Sequence, residues 1–249
     1  MQTSTVSPAA VRRGGRPRDA APRVVVVSLD MAASLEWVNR LRRACSLRCV
    51  VRPWGDRLGY EYLRRARGVL AVLDCTTPEP VAELTQRVRS LRLLAPVTVS
   101  LDTRDDAAAL LAAGALNVLH RGASEAAQAA RITADVRWLC REIAAEGGGY
   151  RGEDDGGPDE VPSRPYKSQS LLLDVLVSAQ RPLCCHDVRY LLGEAARPMS
   201  LPAVRARIQR LAPHLARQGL VCRRTVRWGA DTLTLHAVDG RGGWSGAAG

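Results

Sequence analysis

The apolar run from Gly68 to Leu73 ends in a single carboxylate, Asp74, and Pro78 follows four residues later. An aspartate at the end of a buried strand can accept a phosphoryl group or help to hold a cation. Either chemistry needs more than one acid. Phosphoryl transfer to a carboxylate requires a metal or equivalent cations to neutralise phosphate oxygens, and a hard cation such as Mg²⁺ wants several oxygen ligands. The side chains expected to gather with Asp74 at the strand ends are Asp30, Ser100 and Arg121. That group is short of the carboxylates that would hold the metal.

A second set of chemistry-bearing residues lies near the C-terminus. Ser200 is placed to cap a helix whose apolar stripe, Leu201, Val204, Ile208, Leu211 and Leu215, recurs every three or four residues. Gln209, Arg210 and Arg217 oppose that stripe, and Arg205 and Arg207 flank it. Pro213 is expected to limit how far the helix runs undisturbed. Arg223, Arg224 and Arg227 precede a hairpin tip at Trp228–Asp231. Such a helix face suits a DNA major groove, with Arg and Gln reading base edges. Hairpin arginines suit phosphates or the minor groove. Residues 167–239 hold eleven basic and five acidic side chains, and a basic domain attracts polyanions by counterion release and steering. The chain has 36 Lys and Arg residues, all arginine except Lys167, and no Phe. That bias points to a high-GC genome, in which a solvated arginine face is the plain alternative. The distribution of charge therefore carries more weight than its identity.

Other constellations are weaker. Cys184, Cys185 and His186, with Cys222 or His236, suggest zinc or thiol sensing, but adjacent cysteines point different ways and no CxxC pair exists. These cysteines are read as small packing residues. No Ser/His/Asp triad, Walker loop or dinucleotide-binding glycine fingerprint is visible. No enzyme activity, metal or cofactor is expected. The chain has 249 residues and a net charge of +11, enough for one or two domains. It has no run of 18 apolar residues and no secretory pattern, so a cytoplasmic protein with reduced thiols is expected.

The elements that position these residues follow from periodicity. Residues 1–22 read as a disordered basic tail, 147–166 as an acidic Gly/Pro linker and 240–249 as a second disordered tail. Between them, residues 23–146 alternate apolar strands with helical patterns. Strands are expected at 23–28, 47–51, 69–74, 97–101 and 117–119, and helices at 35–44, 59–67, 81–91, 107–113 and 125–145. The first helix is given an inner stripe of Leu35, Val38 and Leu41. Five βα units in this length predict a flavodoxin-like (βα)5 sheet of α/β class. Residues 167–239 predict three helices, with a break at Arg181–Leu183, and then a hairpin: a small α+β unit with winged-helix order.

Residues 23–146 resemble a response-regulator receiver domain. Asp74 with Pro78 matches the phospho-acceptor pattern, and the stretch from Gly114 to Gly122 is similar to the family's Gly-Ala…Lys-Pro segment, with Arg121 in the lysine's place. Where the family has adjacent acids, this chain has Ser28 and Leu29, with Asp30 one place later. A planar guanidinium does not replace a lysine point charge. Residues 167–239 resemble the winged helix-turn-helix domains of bacterial regulators, on Pro182–Leu183, Asp187–Val188, Leu191–Gly193, Ser200, Val204–Arg205, Ile208, Leu211 and Gly219–Val221. Together the two resemblances imply an atypical, pseudo-receiver response regulator of actinobacterial type.

That resemblance implies a transcriptional regulator that binds double-stranded DNA as a homodimer, with a small-molecule ligand or RNA polymerase as further partners and no membrane contact. The dimer face is placed on the last receiver helix at Ile132, Val136, Trp138 and Leu139, with the linker letting the two winged helices find their half-sites. Two alternatives remain open: a phosphorylated two-component regulator with an unusual pocket, and a winged-helix adaptor that docks on another protein.

Overall fold

The computed structural model describes residues 23–44, 47–66, 68–76, 78–102, 106–145, 167–179, 181–227 and 229–238. The two expected tails, the expected linker, Cys45 and Trp228 lie outside these residues, as do the side chains of Ser168 and Arg227.

Five short strands, β1 (Val24–Ser28), β2 (Cys49–Pro53), β3 (Leu70–Cys75), β4 (Val97–Leu101) and β5 (Asn117–His120), form one parallel sheet in the order β2-β1-β3-β4-β5. Helices α1 (Met31–Ala44), α2 (Arg57–Arg65), α3 (Val81–Leu91), α4 (Ala107–Ala112) and α5 (Glu125–Ala145) connect and follow them. This is the flavodoxin-like doubly wound order expected from the sequence. The valine run of β1 is buried on both faces, as a central parallel strand requires. Alternate residues serve opposite layers. Val24, Val26, Leu70 and Val72 pack with Trp37, Val38 and Leu41 of α1 and with Ile132, Val136 and Leu139 of α5. Val25, Val27, Ala71 and Leu73 pack with α2, α3 and α4 through Tyr60, Leu63, Leu84, Val88 and Leu110.

Helix α1 begins four residues earlier than its apolar pattern suggests, because Asp30 caps it: Asp30 Oδ1 accepts from the backbone N–H of Ala32 at 3.1 Å and of Ala33 at 3.3 Å. The inner stripe is consequently Ser34, Trp37, Val38 and Leu41, and Leu35 is exposed.

The C-terminal unit contains α6 (Lys167–Ser178), β6 (Leu183–Cys184), α7 (Cys185–Leu191), α8 (Leu201–Arg217), β7 (Leu220–Arg227) and β8 (Ala230–Ala237). Its antiparallel sheet has the order β6-β8-β7. Strand β6 falls where the sequence suggested only a break. It is two residues long, and its pairing with Thr232 and Leu233 is long-range. Helix α8 runs through Pro213, which is exposed. A proline there removes one backbone donor, and on the solvent side water can satisfy the freed carbonyl, so the helix continues to Arg217. Ser200 caps α8, its Oγ accepting from Ala203 N–H at 3.3 Å. Among the described residues, no helix is long and apolar enough to cross a membrane.

Candidate functional site

The carboxyl ends of β1, β3, β4 and β5 bring Asp74, Ser100 and Arg121 together. Asp74 is fully buried. Its two oxygens receive the Arg121 fork: Nε donates to Oδ1 at 3.1 Å and Nη2 to Oδ2 at 2.7 Å. Ser34 Oγ also donates to Oδ2, at 2.5 Å, and lies 2.7 Å from Ser28 Oγ. One hydroxyl proton cannot serve both neighbours, so Ser28 supplies the proton between the two serines. The Arg121 guanidinium sits 5.0 Å from the Trp37 ring centroid. Trp37 Nε1 donates to Gln128 Oε1 at 2.7 Å, and Gln128 Nε2 donates to the carbonyls of Arg121 at 2.9 Å and Ala123 at 2.6 Å. Both the side chain and the backbone of Arg121 are therefore held. Burial pushes the Asp74 carboxyl above its ordinary range, opposed by the Ser34 hydroxyl and the Arg121 guanidinium. Ser100 stands beside Asp74 in the β3–β4 ladder. Its hydroxyl favours the carboxylate electrostatically, but it is buried and reaches no hydrogen bond of ordinary geometry.

Asp30 does not join this group. Its carboxylate is exposed at the start of α1, where it is occupied as a cap. The place sequence reasoning gave to Asp30 is taken by Ser34. Mg²⁺ does not fit the side chains around Asp74, which are two serine hydroxyls and a guanidinium. Among the described residues no cluster of three or more His, Cys, Asp or Glu is placed to share a metal. Both Asp74 oxygens are engaged, and the side chain is buried. Ser34, Trp37 and Gln128 were missed in the sequence. The available signal was a polar residue at an inward position of each helix: Ser34 in the stripe of Trp37, Val38 and Leu41, and Gln128 beside Ala129 and Ile132.

The second candidate site is the basic surface of α8 and the hairpin. Gln209, Arg210 and Arg217 are exposed on α8, while Val204, Leu211 and Leu215 face inward. Arg207 is half-buried, and burial together with the neighbouring Arg210 charge lowers its pKa. Arg223 and Arg224 are exposed on β7. Arg205 departs from its expected place. Its Nη2 donates to Asp231 Oδ2 at 2.5 Å, tying α8 to the hairpin, and Arg224 Nε lies 3.9 Å from Asp231 Oδ1. The Arg205 hydrogen bond holds the Asp231 carboxyl below its usual range. Arg205 thus ties the helix to the hairpin through Nη2.

The expected dimer stripe also changes. Ile132, Val136 and Leu139 are at most 7% exposed and pack on their own sheet and α1. One apolar stripe is what an outer helix needs to dock on its own sheet. Only Trp138 of that set, 46% exposed, faces outward. Cys185 is buried at the start of α7, as expected of a packing residue, and burial pushes its thiol up to about 11.

No protein-family model matches this chain, and no curated protein matches it. Solved structures that it resembles include an orphan response regulator of H. pylori, at 20% identity over 47% of this chain and 98% of that one, with a TM-score of 0.32. The response regulator DrrB of Thermotoga maritima, an OmpR/PhoB homologue, is similar at 17% identity over 85% of this chain and 98% of that one, with a TM-score of 0.33. A redox sensor of the streptococci, evolved from two-component response regulators, is similar at 12% identity over 87% of this chain and 100% of that one, with a TM-score of 0.36.

Proposed function

We propose that this chain is an atypical response regulator: a DNA-binding transcriptional regulator whose receiver domain works without phosphorylation at Asp74. The observation that carries the DNA-binding half is the exposed basic surface of Gln209, Arg210 and Arg217 on α8 with Arg223 and Arg224 on β7. In this reading α8 enters a major groove, where Gln209 and Arg210 reach base edges. The hairpin arginines and Arg217 hold phosphates. Arg205, locked to Asp231, sets the angle between the helix and the hairpin.

The receiver half rests on the Asp74–Arg121 pair. In place of a metal-loaded acceptor there is a neutralised, buried carboxylate, so the receiver's role is structural: to dimerise, or to bind a ligand or partner elsewhere on its surface. A homodimer fits because one small DNA-binding unit offers a limited interface, and two half-sites multiply affinity. Mapping the genomic fragments retained by the purified full chain tests the reading. Enrichment of a shared, two-fold-symmetric site is expected. Absence of any shifted fragment at low salt would remove it and favour an adaptor that docks on protein.

A further inference from the structure

The two domains are not merely tethered. The β2–α2 loop, α2 and α3 of the receiver meet α6, α7 and the α7–α8 turn of the C-terminal unit, and a single apolar core runs through both. At its centre is Arg87 of α3, only 1% exposed. Its Nε donates to Glu79 Oε2 at 2.8 Å and its Nη2 to Glu79 Oε1 at 3.2 Å, both within the receiver. The same Nη2 crosses to the carbonyl of Ala195 at 2.5 Å. The guanidinium carbon lies 5.0 Å from the Trp54 ring centroid on one domain and 6.0 Å from that of Tyr190 on the other. Trp54 Nε1 in turn donates to the Tyr190 carbonyl at 3.1 Å.

Polar contacts continue around this centre. Gln86 donates to Asp187, and Arg64 pairs with Asp174 at 3.1 Å. Gly55 holds a φ of +85°, and a Cβ there would stand 3.2 Å from the Gly193 carbonyl across the interface, so the backbones approach where a larger residue would crowd them. The part that Arg87 grips is itself stiff. Arg189 Nε donates to the Met199 carbonyl at 2.9 Å, and Met199 N–H donates back to the Arg189 carbonyl at 3.0 Å. Ser200, the cap of α8, comes next. Ala195 is therefore a handle on the orientation of α8, while the basic face of α8 stays exposed.

We propose that Arg87 is an interdomain latch: by bridging Glu79, Trp54, Tyr190 and the Ala195 carbonyl, it fixes the DNA-binding unit in one orientation with its basic face outward. The receiver and the DNA-binding unit then meet DNA as one body, instead of as two domains joined by a free linker. The DNA part of this inference rests on the proposed function; the latch does not. A buried guanidinium between aromatic rings gains from desolvated cation–π attraction and from charge-assisted hydrogen bonds. Among the described residues, however, Arg87 Nη1 is buried without a hydrogen-bond partner. An orphaned donor costs free energy that water repays on opening, so the latch is built to hold without being irreversible.

Small-angle X-ray scattering of the full chain tests the latch without reference to DNA. The wild type should give a narrow distance distribution matching the docked arrangement. Arg87→Ala should raise the radius of gyration and lengthen the distribution, with helical circular dichroism unchanged. Tyr190→Ala, which leaves the receiver untouched, should open the interface in the same direction if Arg87→Ala does not fold. A wild type with a broad distribution, or folded variants that scatter as the wild type does, would overturn the latch. The second arm varies half-site spacing in the selected operator by half a helical turn. The wild type should lose on the order of a hundredfold in affinity when both half-sites cannot be engaged, and the opened variant should recover most of it. If scattering opens as expected but no DNA binds at any spacing, the latch stands and the proposed function fails.

Discussion

The receiver pocket and the α8 surface are both built on arginine, and they use it in opposite ways. Arg121 is almost wholly withdrawn from water and spends its fork on one buried carboxylate. Arg210 and Arg223 stand in solvent, and among the described residues no carboxylate pairs with them. A desolvated guanidinium without a partner is costly, so the fold supplies Arg121 with Asp74 and Arg87 with Glu79. A solvated one remains available to a polyanion. In a chain so rich in arginine, residue type carries little information; burial and partner decide which arginines hold the protein together and which stay in solvent.

The largest effect should come from breaking the pocket. Arg121→Ala leaves Asp74 buried and unpaired and is expected to cost about 3–5 kcal/mol, read from urea unfolding of the full chain. The double replacement Asp74→Leu with Arg121→Met, which removes both charges, should restore most of that loss. A loss below about 1 kcal/mol for Arg121→Ala would mean that the pair behaves as a surface salt bridge.

The α8 surface should respond in affinity and leave stability unchanged. Arg210→Ala is expected to cost about 1–3 kcal/mol on the selected operator and to relax preference at one base pair. Arg223→Ala should weaken selected and random DNA alike. Arg205→Ala sharpens the contrast: as a strut it should lower affinity for every sequence while leaving base preference intact. Loss of preference at a single position in Arg205→Ala would return it to the base-reading set. The measurement for all three is competition binding against a library of operator variants.

A smaller effect follows from Asp135. Thr98 Oγ1 donates to its Oδ2 at 2.8 Å, but burial dominates and raises its pKa. A carboxyl raised on folding binds its proton more readily in the native state. Its stabilising contribution is therefore fully present below the unfolded value, about pH 4, and is lost as pH rises through the elevated folded value. Asp135→Asn should flatten the fall in stability between acid and neutral pH, measured by thermal unfolding across that range. An unchanged slope would show that this carboxyl titrates normally.

The period of the apolar residues made nearly all of the fold legible, because a doubly wound sheet writes its strands as buried runs and its helices as stripes. Helix α3, strand β4 and helix α5 coincide with the predicted spans. Strand β6 escaped because two residues carry no period and its partners lie some fifty residues away. The pocket was half legible. Asp74, Ser100 and Arg121 were located by strand ends, but the fork that joins Arg121 to Asp74 is set by tertiary packing. Asp30 was read as a pocket acid when its position fits a cap. Ile132, Val136 and Leu139 were named with Trp138 as the dimer face, although one such stripe is what docks a helix on its own sheet; only Trp138 is exposed. The Arg87 latch left no trace in the sequence, since its partners come from separate elements that only tertiary packing joins.

The measurement that bears most directly on the account is a salt titration of DNA affinity by the full chain, with and without acetyl phosphate and Mg²⁺, paired with intact-mass analysis. If about five phosphates are contacted, the log–log slope should be on the order of −4 to −5, the two curves should coincide, and Asp74 should carry no phosphoryl adduct. No binding at low salt would contradict the regulator. A stable adduct lost in Asp74→Asn, together with a shifted curve, would show that the buried pair opens and that the receiver is switched by phosphorylation after all.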